Sequence, residues 1–477
     1  MTARLDVAVL GAGVAGLSAA LALARDGHRV DLVERDSVAV GDPMAAPDWS
    51  RRGIPHFLQA HAFTARGRRE LREAFPDVFD ALIEAGADDI DLRPKVRGEL
   101  QPADVDLAIL GVRRPLIEWA LRRAVVAEGG VRVLSGVKVE GLVAEAGRRP
   151  VVRGIRTTAG SLEADLVIDA LGRRSPVQEW IRALGGTPME EQSSDCGVIY
   201  YTRYYRVYPG ETLPDGPWLP TPRADLGYGL FSSFPGDNGT FAGLIAIRPG
   251  DQELKVLRRA AAFDAAVALM PALWSWANPE ISAPFTDVLP MGSLQNTIRS
   301  FADGKPPTVG LISIGDALCH TDPVFALGLS LAIVEARLLT ELLRREPADM
   351  HGVAVEFDRS IRDTLVERYR FATAVDDQRS RLWAGEPIDF AHRNGGAYEL
   401  FTLAAGSAAS LVDGDIFRMV VRRNYFLDPL RDLDTDIAMQ ERIESRFAEI
   451  RSIPRPRPGP TRDELLAATN DAVRDLT

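Results

Sequence analysis

An apolar run, Asp6-Val7-Ala8-Val9-Leu10, passes without a break into Gly11-Ala12-Gly13-Val14-Ala15-Gly16, and an acid, Glu34, follows at the end of the next strand-like run. The first run predicts a buried parallel strand. The residues after Gly16, with Leu17, Ala20, Leu21 and Ala24 on one face, predict a helix that stops at Gly27, and residues 30–33 predict a second strand. Few chains can meet these demands except a doubly wound α/β domain with a dinucleotide turn. Gly11 serves the tight turn, Gly13 lets backbone approach a pyrophosphate, and Gly16 allows close packing of helix on strand. The helix N-terminus then faces the anion with unpaired N–H groups. Glu34 stands about 20 residues beyond the turn, where a carboxylate accepts both hydroxyls of a ribose. The prediction is an adenine-dinucleotide site.

A chain of 477 residues exceeds one ordinary domain and can enclose a large ligand. Its 46% hydrophobic and 26% charged residues suit a soluble globular enzyme, and no apolar run approaches the roughly 20 residues of a membrane span. The first strand starts too near Met1 for a signal segment, so the expected location is the cytoplasm. Cys196 and Cys319 are the only cysteines; they read as two buried thiols, with no metal site. A net charge of -11 argues against a nucleic-acid partner, which needs a basic face. Lysine occurs only at 95, 138, 255 and 305, an arginine-rich bias typical of GC-rich bacterial genomes.

The loop Arg51-Arg52-Gly53-Ile54-Pro55-His56, with His61 beyond it, leads into a helix over 64–75; its histidines are within reach of a cofactor or substrate, but an isolated loop histidine reads first as an ordinary hydrogen-bonded or solvated side chain. In the helix beginning at Arg114, that residue is placed to aim a guanidinium at a phosphate, while Arg113, Arg122 and Arg123 read as surface. Segments 131–134, 137–144 and 151–157 read as a small meander. A second signal lies far downstream. Gly310-Leu311-Ile312-Ser313-Ile314 predicts a buried strand ending at Gly315-Asp316, followed by Pro323 and a helix opened by Leu327-Gly328-Leu329-Ser330. This arrangement suits a flavin, since Asp316 can accept from a ribityl hydroxyl. The helix end at Gly328 and Leu329 can direct partial positive charge at the ring's pyrimidine edge.

Gly11 to Gly16 with Glu34-Arg35, Ala170-Leu171-Gly172 with Ser175, and Gly315-Asp316 with Pro323 and Gly328 together resemble the FAD-dependent monooxygenase superfamily, on the fold of para-hydroxybenzoate hydroxylase. The Arg52-Gly53-Ile54-Pro55 loop with His61, the Tyr200-Tyr201-Thr202-Arg203 strand and the Pro458-Gly459-Pro460 tail are most similar to bacterial epoxidases of polyether biosynthesis. The resemblance implies one FAD held by Gly11, Gly13, Ala15, Gly16, Glu34, Arg35, Arg114, Asp316, Gly328 and Leu329. It also implies a C4a-hydroperoxide formed from dioxygen near Pro323, and a role in secondary metabolism such as antibiotic biosynthesis. Hydroxylases of this fold carry Asp-Gly where this chain has Leu171-Gly172, so the electron route, NAD(P)H or a separate flavin reductase, stays open.

The expected fold is α/β: a Rossmann-type FAD-binding domain with an antiparallel substrate-binding sheet and a C-terminal helical region. The expected parts are 1–185 and 301–345 for the FAD domain, 186–300 for the substrate sheet and 346–477 for a helical cap. In the aromatic run 198–208, period-2 alternation puts Tyr201, Arg203 and Tyr205 on one face and Tyr200, Tyr204 and Tyr208 on the other. Tyr201 and Arg203, with Pro323 and Gly328, are the expected flavin-proximal residues; Gln295, Asn296 and Arg299 are further polar candidates. Residues 453–460 read as a proline-rich strap, and Thr461-Arg462-Asp463-Glu464 as a capping box. The expected function is insertion of one oxygen atom from dioxygen into an apolar small molecule, by epoxidation or hydroxylation. The alternatives are a flavin reductase or dehydrogenase and, less favoured, a halogenase. The halogenase lacks its GWxWxIP motif, with Gly227-Tyr228-Gly229-Leu230-Phe231 in the comparable place, and finds only Lys95 as a loose candidate for its lysine.

Overall fold

The structure is a computed structural model that describes residues 4–37, 40–345, 348–388, 396–453 and 456–474. Pro454 and Arg455 of the proline-rich strap lie outside the described residues.

The chain opens with β1 (Asp6–Leu10), α1 (Val14–Arg25) and β2 (Arg29–Glu34), as the glycine pattern predicts. After two short helices come α2 (Arg114–Ala127), β3 (Val131–Ser135) and β4 (Leu166–Asp169). The antiparallel layer follows, with long strands β5 (Ile199–Val207), β6 (Gly229–Pro235) and β7 (Thr240–Ile247), and β8 (Gln295–Ser300) leads out of it. The chain then returns through β9 (Leu311–Ser313) to α3 (Gly328–Arg345) and α4 (Met350–Trp383), with further helices to the end.

Strands β9, β4, β1, β2 and β3 form one parallel sheet in that order. Its centre is apolar, as parallel strands covered on both faces require, with Val7, Val9, Leu32, Leu166 and Ile168 each at most 2% exposed. Helices α1 and α3 pack against it, which brings two segments some 300 residues apart in sequence to one sheet edge. Segment 131–135 is therefore a strand of this sheet rather than part of a meander. The meander proper is Val139–Glu145, Val151–Thr157 and Gly160–Glu163.

In the second layer β6, β7 and β5 lie side by side, and the β6–β7 turn at Pro235 to Phe241 is the hairpin its Asp-Asn-Gly sequence requires. A three-stranded sheet of Glu190–Asp195, β8 and Cys319–His320 joins the two layers. Helices Ala260–Ala268 and Pro271–Ala277 cover the outer face of the second layer, burying Phe263 and Leu273. Among the described residues no single helix is long and apolar enough to cross a membrane; those two meet the length and composition only as a pair, bent by 117°. The last helix, Arg462–Arg474, begins on the predicted capping box: Thr461 N donates to Glu464 and Glu464 N to the Thr461 hydroxyl.

Candidate functional site

The end of β1 turns through Gly11 at φ 93°, a left-handed conformation that a side chain would strain. At Gly16 a Cβ would stand 1.9 Å from the Gly11 carbonyl oxygen, so no other residue fits where α1 crosses the turn. No side chain caps α1, and its first turn carries no acid, which leaves its N–H groups for an anion. Arg114, at the start of α2, reaches over this turn: its Nη2 lies 3.5 Å from where a Gly13 Cβ would be. Its Nε donates to Glu118, and its Nη1 is 2.9 Å from His56 Nε2.

Glu34 closes the turn from the β2 end and is 6% exposed. Its Oε2 accepts from Ala12 N and Arg51, and its Oε1 from Asp36 N. Burial pushes this carboxyl up, but the Arg51 charge and the two backbone donors outweigh it and hold the carboxyl below its ordinary range. A carboxylate offers about four acceptor sites. Three are taken here, so Glu34 has room for one ribose hydroxyl rather than the expected two. Arg51 is the hub behind it, also donating to Asp36, Glu118 and the Ala12 carbonyl. Arg122 donates to that same carbonyl at 2.7 Å and is 4% exposed, and Arg113 is buried on Asp237. Both are thus interior residues, contrary to their reading as surface. The spacing Glu118/Arg122 on one helix face was the available signal for a buried network, and the loop arginine that completes it had none.

A cavity of about 470 Å³ runs from this turn to the seam between the two layers. Gly11, Gly13, Ala15, Glu34, Arg35, Arg114, Asp316, Pro323, Gly328 and Leu329 line it, whereas Gly16 serves packing. Tyr201 and Arg203 do not line it. Their face of β5 points to the outer helices: Tyr201 packs in the cluster with Phe231 and Leu257, and Arg203 pairs with Asp264. The alternation was read in the right register, but the opposite face meets the cleft side, where the Tyr200 hydroxyl bonds Asp322 and the Tyr204 hydroxyl donates to the Gln59 carbonyl. Gln295 lines the cavity, Asn296 is buried beneath it, and Arg299 is turned away onto Glu191 and the Ala317 carbonyl. Lys95 pairs with Asp215 and is absent from the lining.

The turn carrying Pro323 rests on a closed ring of buried polar groups. Asp322 N donates to Asn296, Asn296 Nδ2 to Asp376, and Arg379 Nη2 to both Asp376 and Asp322, each bond 2.6 or 2.7 Å long. Cys196 lies beside the two carboxylates and with them forms a possible metal-binding trio, but Arg379 already supplies the cation there. Both cysteines are buried, as expected. Above this ring Ala326 holds a left-handed φ of 52° on the cavity wall, a strain that the Asp322 cap below helps fix.

Three histidines, His56, His61 and His320, also line the cavity. Burial, reinforced by the charge of Arg114, pushes His56 well below its ordinary range and His61 down to about 3; burial also lowers His320. All three are neutral imidazoles at neutral pH. Arg173 shares this space without an ion pair among the described residues. The place of His56 and His61 near a ligand was open to sequence reading, but their neutrality was not, because it comes from burial and from Arg114, distant in the chain.

Residues 6–108 match the family model of FAD dependent oxidoreductase. Protein Rv3254 of Mycobacterium tuberculosis is 25% identical over 452 residues, 88% of this chain and 90% of that protein. The 6-methylpretetramide 4-monooxygenase of Streptomyces rimosus is 28% identical over 397 residues, 80% of this chain and 84% of that enzyme. Among solved structures, PqsL, a probable FAD-dependent monooxygenase from Pseudomonas aeruginosa, superposes with a TM-score of 0.57 at 16% identity, covering 80% of this chain and 99% of that one. The myxobacterial chondrochloren halogenase CndH gives 0.59 at 19% identity, covering 89% and 97%. The cradle at Gly11 to Gly16, the acid at Glu34 and the second crossing at Asp316 and Gly328 fit FAD and leave room for it in one continuous cleft. With a family model matching that very turn, residues 6–108 carry an FAD dependent oxidoreductase domain, and the chain shares the para-hydroxybenzoate hydroxylase-like fold of these flavin-dependent neighbours.

Proposed function

We propose that this chain is a monooxygenase that places one atom of dioxygen on an uncharged, largely apolar natural-product-like molecule, at an alkene or an electron-rich ring. The observation that carries the reading is the continuity of the cleft. A single cavity joins the dinucleotide turn to an inner chamber walled by Pro323 on one side and by Met291 and Leu294 of the second layer on the other. The relative named as a 6-methylpretetramide monooxygenase supports a polycyclic substrate of this kind.

FAD, when bound and reduced, supplies the activation of dioxygen. The chain's own groups do the rest. The N–H groups of the α1 end and Arg114 hold the pyrophosphate, Glu34 takes a ribose hydroxyl, and Asp316 takes a hydroxyl of the ribityl chain. The α3 end at Gly328 would offer partial positive charge to the bound group. The apolar wall excludes water, and oxygen transfer to a double bond demands no proton removal by the protein. Arg35, Arg52, Arg173 and Arg174 line the cavity and make no ion pair among the described residues, which supports an anionic nicotinamide dinucleotide as transient reductant. A separate flavin reductase is the other supply. The halogenase reading is not favoured, since Lys95 is held at Asp215.

The test is an anaerobic visible spectrum with NADPH, then readmission of isotopically heavy dioxygen with alkene and phenol probes. Bleaching by NADPH and one heavy atom per product molecule are expected; bleaching by a reductase instead names that supply. Reoxidation with no heavy atom in any product sinks oxygen insertion in favour of hydride transfer.

A further inference from the structure

Arg114 reaches over the glycine turn with a side chain that is 11% exposed and held at two of its three nitrogens. Its Nε donates to Glu118 Oε1 at 2.9 Å, and its Nη1 lies 2.9 Å from His56 Nε2. The third nitrogen, Nη2, makes no hydrogen bond among the described residues, and it is the one that stands 3.5 Å from where a Gly13 Cβ would be. A planar group tied at Nε and Nη1 has little freedom left to twist, so these two partners decide where Nη2 points.

The two partners are unlike. Glu118 is fully buried, and its charge is divided, because its other oxygen accepts from Arg51. His56 is an acceptor without charge. Arg114 only donates, so His56 Nε2 carries the lone pair and Nδ1 the proton. The ring of His61 stacks beside it, with centroids 5.8 Å apart at an interplanar angle of 30°, and His61 is itself anchored through Nδ1 on the Gln59 carbonyl. Burial, then the neighbouring Arg114, His61, Arg173 and His320, keep His56 from taking a second proton. A carboxylate in this place would hold the guanidinium as firmly, but its charge would repel an anion at the turn. A neutral imidazole orients Arg114 and leaves the positive charge for the ligand.

We propose that His56 is a positioning residue for the cofactor: its Nε2 lone pair holds Arg114 so that Nη2 faces the glycine turn where the pyrophosphate binds, and it brings no charge that opposes the anion. This inference rests on the assignment of Arg114 to the pyrophosphate and goes beyond it by naming what aims the guanidinium. It also gives the loop 51–62 a single task, since Arg51 holds Glu34 from behind while His56 aims Arg114 from the side.

The test is a double-mutant cycle on the purified holoenzyme, read by FAD release on dilution and by the phosphorus magnetic resonances of the bound cofactor. His56→Phe keeps a ring against His61 and removes the lone pair. It should weaken FAD binding roughly 10-fold, the scale of one hydrogen bond to a charged group, and move the phosphorus resonances. His56→Gln, whose amide oxygen also accepts, should recover most of the affinity and bring the resonances back. In an Arg114→Met background, His56→Phe should change neither readout further, because no guanidinium is left to aim. Unchanged affinity in His56→Phe overturns the inference. An equal loss in both backgrounds also overturns it, because His56 then touches the cofactor itself or acts through the fold. Should His56→Phe fail to fold, His56→Leu enters the same cycle with the same expectations. Unchanged FAD binding and resonances in Arg114→Met remove the assignment of Arg114 and the inference with it, whereas a loss at Arg114 with none at His56 sinks the inference alone. Neither readout needs turnover, so the oxygen-transfer reading stands or falls separately, on the heavy-dioxygen experiment.

Discussion

Arg51 is the residue on which the dinucleotide end depends, although the sequence around it, two arginines in a glycine-proline loop, reads as exposed. One guanidinium faces Glu34, Asp36 and Glu118, all buried. Replacing it by methionine keeps the bulk and removes the shared cation from three carboxylates, of which only Glu118 keeps another arginine in hydrogen-bond contact, so Arg51→Met should cost about 3–5 kcal/mol in denaturant unfolding. A loss under 1 kcal/mol would mean that water reaches the cluster. His61 gives a pH dependence with a definite sign. Its pKa is about 3 when folded, against 6.5 for the free side chain. Between those values the unfolded chain binds the proton and the folded one does not. Stability is therefore lost as pH falls below 6.5, at up to about 1.4 kcal/mol per pH unit for one group. Denaturation midpoints measured downward from pH 6.5 should fall less steeply in His61→Gln than in wild type; parallel curves would show that the ring is wet and titrates normally. Glu34 and the glycines were legible because each answers to its neighbours in sequence. The low proton affinity of His56 and His61 was not, because it is set by burial and by Arg114, more than 50 residues further along the chain.

At the scale of elements, the strand β5 shows how far periodicity reaches. Alternation assigns Tyr200, Tyr204 and Tyr208 to one face and Tyr201, Arg203 and Tyr205 to the other; the structure keeps that partition within β5, while Tyr208 lies beyond the strand's end and is exposed. Alternation cannot say which face meets the cleft, since both are largely buried, one under helices and one against the flavin domain. The helix α4 was legible as a helix but not as a support for the Pro323 turn, a role it takes through Arg379. Burial and the nearby charge of Asp322 push Asp376 up, so the working ion pair at neutral pH is Asp322 with Arg379. Arg379→Met should then destabilise by about 3–5 kcal/mol by leaving Asp322 buried and alone. The double variant Asp322→Asn with Arg379→Met should recover a substantial part of that loss, because no charge is stranded. The visible band of bound FAD serves as the second readout, expected to shift in the single variant as the Ala326 turn relaxes. A double variant no more stable than the single one would assign the loss to packing against Trp383, whose ring lies 5.5 Å from the guanidinium.

For the molecule as a whole, the parallel sheet with its two distant crossings was readable because each crossing carries its own local signature, strand then glycine then helix. The second layer was readable only as a sheet, and β3 was misplaced because a strand added at a sheet edge has the same apolar pattern as one in a meander. The cavity itself spans the two layers: its floor comes from the glycine turn and from Asp316, its far wall from Met291 and Leu294. FAD filling such a space binds the folded chain alone, so it stabilises by mass action, by about 2.7 kcal/mol at 100 times its dissociation constant. Removing FAD should therefore lower the unfolding temperature, and adding it back should raise that temperature in step with the logarithm of its concentration. Protection should spread unevenly. Hydrogen exchange on removal should quicken in residues 51–62 and in the turn from Asp322 to Gly328, which line the cleft and are held on one side only. The outer helices over Phe263 and Leu273, packed away from the cleft, should exchange at an unchanged rate. Uniform quickening across both layers would instead make the cofactor part of the core that holds the layers together, and the second layer would then have no independent stability with which to shape a substrate site.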